Sequence, residues 1–368
     1  MTDATHDTHD THDTHDGADD DAAPGWDAID AALARLYPGQ EPKHYGTLVK
    51  WRLGGPDPLD GISVWRRAAP VPHWHFVTYG LSELYAKESD DPAVSGFGFE
   101  LTMRVACVAG DDEPPRWVFS FLQNLARYVF QSGNAFDDGH WMTANGPIAL
   151  DTDTALCSMG FAFDPELPAI DTPHGRLAFL QVVGLTLDEE RAAKRWRTRA
   201  LLDTLLPHMP LWVTDLVRAS LLERADVREQ VDAGTQRDGS ASGYLFTDVL
   251  GWGTRKRLLR APVIEITVGA RQVDELVTLL PLRLPFDRPF RLVGHDGAVR
   301  FVRGDANGVS DEDGTLTLRL TDATVQALAR TLKPRAGEYA IDGLDGVRWR
   351  VEPTVIRDAQ GHPVQTIG

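Results

Sequence analysis

The chain has 368 residues, of which 42% are hydrophobic, and a formal charge of −17 at pH 7, which is enough apolar material for about two domains of ~100–200 residues each. No window reaches the ~18 unbroken apolar residues of a membrane helix, and the N-terminus lacks the basic start and apolar centre of a secretory signal, which argues against a membrane and for the cytosol. Ten of the 54 acidic residues fall within residues 1–30, where there is no lysine or arginine, so the rest carries 44 against 37 and only −7, without the basic face a nucleic-acid binder needs.

The N-terminus holds four Thr-His-Asp units between Thr5 and Asp16. It has too few apolar side chains to offset the entropy of ordering, so residues 1–25 are expected to be a disordered tail. His6, His9, His12 and His15 are the residue type that binds transition metals loosely, yet a three-residue period fixes no coordination geometry, and a solubilising tail is the plainer expectation. Order is expected from Trp26, with a short helix carrying Ile29, Leu33 and Leu36 on one side and stopping at Pro38-Gly39. Strands are expected at Tyr45–Leu53, Ile62–Arg66 and Trp74–Tyr79. The clearest is Phe97–Val108, where Phe97, Phe99, Leu101, Met103, Val105 and Cys107 alternate with Glu100, Thr102 and Arg104 as in a half-buried strand.

Pro114-Pro115 suits a helix start, and Arg116–Gln131 sorts into an apolar arc with Trp117, Val118, Phe121, Leu122, Leu125, Tyr128 and Val129. Phe119 and Phe130 fall outside that arc and point to a second contact surface. Strands follow at Ala155–Phe163 and Leu177–Leu185. After them comes a helix with Asp188, Glu189 and Glu190 at its start and basic residues later, as the helix dipole prefers, anchored by Ala193, Trp196 and Ala200. Glycine-rich stretches make 225–261 an expected connector. Beyond it, strands are expected from Val263, at Glu275–Leu284, Pro289–Val293, Val299–Arg303, Thr315–Leu320, Glu338–Ile341 and Val347–Val351, with a capped helix at Thr321–Leu332. The expected division is therefore residues 26–224, a connector at 225–261, a smaller domain at 262–356, and a tail at 357–368. The fold class is α+β, two mixed α/β domains, the larger N-terminal.

The chain contains no G-x-S-x-G, no phosphate-cradling G-x-x-x-x-G-K-[ST], no H-E-x-x-H and no C-x-x-C. Cys107 and Cys157 are too few for a disulfide framework and are expected to be reduced, buried small hydrophobes. One alternative is a metal-dependent enzyme using His73, His75, Asp138 and His140, since His73 and His75 share a strand face and the Phe136–His140 loop supplies a carboxylate and an imidazole. The simpler expectation is that these imidazoles hold backbone and loops, with neither a metal nor a cofactor bound.

Six collinear blocks resemble the Suppressor of fused family: LVKWRLGGPDPLDGISVWR (48–66), PHWHFVTYGLSELY (72–85), SGFGFELTMR (95–104), LARYVFQSGNAF (125–136), TPHGRLAFLQVVGL (172–185) and LWVTDLVR (211–218). The resemblance implies a non-catalytic protein with two domains hinged about a cleft, which accepts an extended peptide of a partner protein as an added strand. It places Tyr128, Phe136, Asp137, Asp138 and His140 at the partner. Gly139 stands before His140 where the family carries an acidic residue, so Asp137 and Asp138 are alternatives for that role. Animal members sequester zinc-finger transcription factors of Hedgehog signalling, and bacterial ones are proposed as toxin-immunity proteins. The arginine-rich composition, with six lysines, and the lack of the animal forms' long acidic insertion favour a toxin-neutralising binder over a transcription-factor regulator. A monomer or weak dimer is expected.

Overall fold

The computed structural model describes residues 22–49, 51, 54–108, 110–150, 152–257, 260–357 and 360–368. The Thr-His-Asp repeat and its four histidines lie outside the described residues.

The N-terminal part comprises α1 (Pro24–Leu36), β1 (Lys43–Gly46), β2 (Gly61–Arg67), β3 (His73–Tyr79), β4 (Val94–Ala106), α2 (Trp117–Ser132), β5 (Trp141–Thr143), β6 (Leu156–Phe163), β7 (Ile170–Thr172), β8 (Gly175–Thr186), α3 (Leu187–Arg195), α4 (Thr198–Leu205) and α5 (Ala225–Asp238). Its sheet runs β1-β2-β3-β4-β8-β6-β5, with β7 beside β8. Only β4 and β8 pair in parallel. The period-two pattern of β4 and β8 sends Leu101, Met103, Val105, Leu180 and Val182 to one face, against Val118, Leu122, Leu125 and Val129 of α2. Each such burial contributes ~1.5–3 kcal/mol. The opposite face carries two apolar clusters. Ile29 and Leu33 of α1, with Tyr37 just after it, pack on Trp65, Tyr79 and Phe179, and α3, α4 and α5 pack around Val183, Leu185, Trp196 and Trp212.

Glu100, Thr102 and Arg104 lie on that second face and are fully buried, which corrects the half-buried expectation for β4. The alternation is real, but its polar half meets other polar side chains instead of water. Tyr128 also departs from its expected arc. It is 39% exposed and stacks on Phe136 instead of entering the core beside Val129. The helix after β8 breaks at Trp196, whose φ of −123° and ψ of −110° are not helical, and resumes as α4. Cys107 and Cys157 are free thiols, half-buried instead of buried.

Two further corrections concern the middle of the chain. The expected connector contains α5, with Val227 and Val231 in the N-terminal core, followed by the first strands of the C-terminal part. Gly234 made this region resemble a loop. It is helical, and a Cβ there would sit 2.2 Å from the Trp196 ring, so close packing explains that glycine. The expected strand at Glu275–Leu284 is the end of a helix and two short 3-10 turns, with Val273, Leu276 and Leu279 on one buried face.

The C-terminal part has β9 (Tyr244–Phe246), β10 (Leu250–Arg257), β11 (Arg260–Gly269), α6 (Ala270–Leu279), β12 (Phe290–Val293), β13 (Ala298–Arg303), β14 (Gly308–Glu312), β15 (Thr315–Leu320), α7 (Asp322–Thr331), β16 (Gly337–Tyr339), β17 (Val347–Glu352), β18 (Thr354–Arg357) and β19 (Pro363–Ile367). One sheet runs β10-β11-β17-β16 and a second β14-β15-β13-β12-β9, while β18 and β19 form a hairpin where a tail was expected. Ile266, Val268, Phe301, Leu318 and Trp349 join α6 and α7 in one core. The Thr321 hydroxyl caps α7 by accepting from the Thr324 N–H, as the capping pattern predicts.

Candidate functional site

His73 and His75 are both fully buried and belong to the frame. His73 Nδ1 lies 2.7 Å from the Val71 carbonyl oxygen. His75 Nδ1 lies 2.5 Å from the Tyr37 hydroxyl, and its Nε2 is 3.4 Å from Asp164. Burial and the nearby Arg104 guanidinium push the His75 pKa down to about 4, so the ring is neutral at pH 7. Burial pushes the Tyr37 phenol up, so its O–H is the donor to Nδ1. Arg104 donates to both oxygens of Asp164, at 2.6 and 3.0 Å, to Glu166 at 3.0 Å, and to Gln181. Burial raises the Asp164 carboxyl, but Arg104 and His75 more than offset this and hold it well below the usual carboxylate range. Glu100 is stitched to the turn after β3 by the Thr78 and Ser82 hydroxyls and the backbone N–H groups of Gly80 and Ser82.

The metal alternative is not supported by this geometry. Asp138 pairs with Arg199 at 2.8 Å and accepts from the Phe163 N–H at 3.0 Å, while His140 accepts from the Asp137 N–H at 3.1 Å. Among the described residues no group of three or more His, Cys, Asp or Glu side chains is placed to hold a metal ion.

Of the five residues expected at a partner, three line one pocket. It has a volume of about 360 Å³ and is lined by Phe136, Asp137 and His140 together with Phe97, Phe99, Phe163 and Leu180. Tyr128 stacks on Phe136, which stacks on Phe161 at 4.1 Å between ring centres. The two aspartates separate in role. Asp138 is bound by Arg199 and the end of β6, whereas the exposed Asp137 carboxylate accepts only from the next residue's N–H among the contacts described, at 2.7 Å. An aspartate that secures a loop and one that presents charge at a rim look identical in sequence.

Among the described residues two sheet edges are open. β5 ends the large sheet and β9 ends the second C-terminal sheet. Phe161 donates to the His140 carbonyl and Ala144 to the Cys157 carbonyl, both at 2.9 Å. Antiparallel alternation therefore turns the N–H and C=O groups of Trp141 and Thr143 outward. In β9, Arg291 donates to the Gly243 carbonyl and Thr247 to that of Val293, so the backbone groups of Tyr244 and Phe246 face outward. Their rings are 63% and 66% exposed. α3 touches β5, α6 touches β9, and α3 and α6 touch each other. Lys194 of α3 joins these parts, 4.4 Å above the Trp141 ring and 3.2 Å from Glu275 of α6. Sequence reasoning missed both edges, because three-residue strands give almost no periodic signal. The alternation of Tyr244 and Phe246 about Leu245 was the one clue.

A family model for the Suppressor of fused protein (SUFU) matches residues 55–219. The human Suppressor of fused homolog is 37% identical over 235 residues, covering 59% of this chain and 48% of that protein. The chain thus spans about half the length of the curated relatives it matches. The crystal structure of Drosophila Suppressor of Fused aligns with a TM-score of 0.77 over 90% of this chain and 97% of its own, at 23% identity, which establishes the shared fold. The Sufu-Fu complex crystal structure aligns with a TM-score of 0.54 and 33% identity, over 58% of this chain and 98% of that one.

Proposed function

We propose a function from one premise: this chain belongs to the Suppressor of fused family. It is a non-catalytic binding protein that takes an extended segment of a partner protein as an added β-strand. The observation that carries this reading is the pair of open edges, β5 and β9, beside the α3–α6 contact. Unpaired main-chain donors and acceptors on a sheet edge are a template for another strand. The neighbouring pocket, with Phe136, Asp137 and His140 at its rim and Tyr128 stacked behind, supplies side-chain choice. The solved Sufu-Fu complex, in which a relative is held with another protein, supports a protein as the partner.

The test is capture of partners by the tagged chain in its source cell, followed by mass spectrometry. One stoichiometric partner is expected. Thr143→Pro removes an outward N–H without touching the β5–β6 ladder and should reduce capture about tenfold or more, with the fold unchanged by circular dichroism. Undiminished capture by that variant would refute strand addition at β5. The finer reading, a secreted toxin over a transcription factor, rests on composition and the missing insertion, and the identity of the captured protein decides it.

A further inference from the structure

A second pocket, of about 420 Å³, shares Phe97 with the first. Leu81 and Leu84 form part of its wall, and Trp51, Phe97 and Phe130 form an aromatic side. The rings meet edge to face, Trp51 on Phe130 at 5.5 Å and Phe130 on Phe97 at 5.0 Å between centres. This accounts for Phe130, which belongs to neither arc of α2. Trp51 is 40% exposed, so part of this aromatic side is open to whatever enters.

The wall opposite is built by close backbone approach. Gly80 and Gly96 have φ of +136° and +56°, and a Cβ at Gly96 would lie 2.7 Å from the Leu81 carbonyl oxygen. Glu83 is locked in this turn by the N–H groups of Glu88, Ser89 and Gly96 and by Lys87. Burial raises its carboxyl, but those donors pull it down to about 2, so it stays ionised. Glu88 stands exposed among the lining residues. Every ionisable lining group with a charge at pH 7, among the described residues, is a carboxylate: Asp60, Glu83 and Glu88. Asp60 accepts from the Tyr85 hydroxyl at 2.6 Å.

Aromatic rings beside carboxylates favour a planar, weakly hydrated cation, because the ring quadrupole and the negative charge both attract it. We propose that this pocket receives an arginine side chain of the partner polypeptide, as a second subsite continuous across Phe97 with the pocket at Phe136 and Asp137. The inference rests on the proposed function only in taking the occupant from a polypeptide.

The probe is the pentapeptide Ac-Gly-Arg-Val-Arg-Gly-NH2, with a twin carrying neutral citrulline at both arginine positions. Backbone amide shifts of the full chain are followed in ~0.15 M salt, which screens contacts beyond ~8 Å. Expected are saturable shifts at Gly80–Ser89 and Gly96–Phe97, at least about fivefold weaker binding by the twin, and a similar loss in Phe130→Ala. Phe130→Ala changes no charge, so diffuse attraction to acidic surface would survive it. Should Phe130→Ala fail to fold, Glu88→Gln, at the exposed mouth, should weaken binding about twofold to threefold. Equal binding by the citrulline twin, unsaturable shifts, or shifts mapping elsewhere would overturn the proposal. Thr143→Pro separates the two readings. If the pocket binds the probe while that variant still captures partner, strand addition fails alone, and the reverse result removes this proposal alone.

Discussion

Arg104→Met tests whether the buried charges act as frame. Arg104 is fully buried and donates to Asp164, Glu166 and Gln181. Removing it leaves the Asp164 carboxylate without its cation. That carboxylate retains the Thr102 hydroxyl at 2.7 Å and the N–H groups of Glu166 and Leu167 at 2.9 and 3.1 Å. Breaking a buried pair costs ~3–5 kcal/mol, and the surviving donors place this case near the lower end, about 3 kcal/mol. At ~2–4 °C per kcal/mol for a part of this size, the N-terminal transition should drop by about 10 °C in calorimetry. Two parts with separate cores can unfold in separate steps, so the shifted transition is followed individually.

The pH dependence provides a sharper check. In the native chain the depressed Asp164 pKa supplies stability above the unfolded value of ~3.9, which is lost as pH falls toward the folded value. Without Arg104, burial raises the folded pKa above the unfolded one, so the sign reverses. The deficit should shrink as pH falls from 7 toward 4. The double variant Arg104→Met/Asp164→Leu should regain much of the loss, since no charge is stranded. A loss under about 1 kcal/mol, or one that is independent of pH, would refute the frame argument.

His75 offers an independent titration. Its folded pKa of about 4 lies below the ordinary imidazole value of 6.5, so the unfolded chain binds the proton first and stability falls as pH drops between those values. The contribution is about 3 kcal/mol at most. Subtracting the urea-unfolding curve of His75→Gln from that of the native chain between pH 7 and 4 should isolate it; parallel curves would contradict it. The two loop aspartates should separate in assay. Asp138→Asn, losing its pairing with Arg199, should cost ~1 kcal/mol of stability, whereas Asp137→Asn should leave stability unchanged and weaken partner capture. Lys194→Met should loosen the α3–α6 contact, read as faster amide exchange in α6 with the C-terminal core still protected.

Local pattern carried much of the fold. The alternation of β4, the arc of α2 and the Thr321 cap follow from side-chain periodicity and hydrogen bonding within a few residues, so they could be assigned without coordinates. Family resemblance directed attention to the Phe136–His140 loop, three of whose residues do meet in one pocket. What the sequence could not disclose depends on contacts between segments far apart in the chain. Glu100, Thr102 and Arg104 looked solvent-facing because alternation gives a strand two faces without saying what covers each. Gly234 resembled a turn because nothing local reveals the Trp196 ring against it. Asp137 and Asp138 differ in that Arg199 and the Phe163 N–H, both distant in the chain, meet Asp138. An open edge, finally, is defined by strands that are not there, and three-residue β5 and β9 acquire that status only when both sheets are assembled.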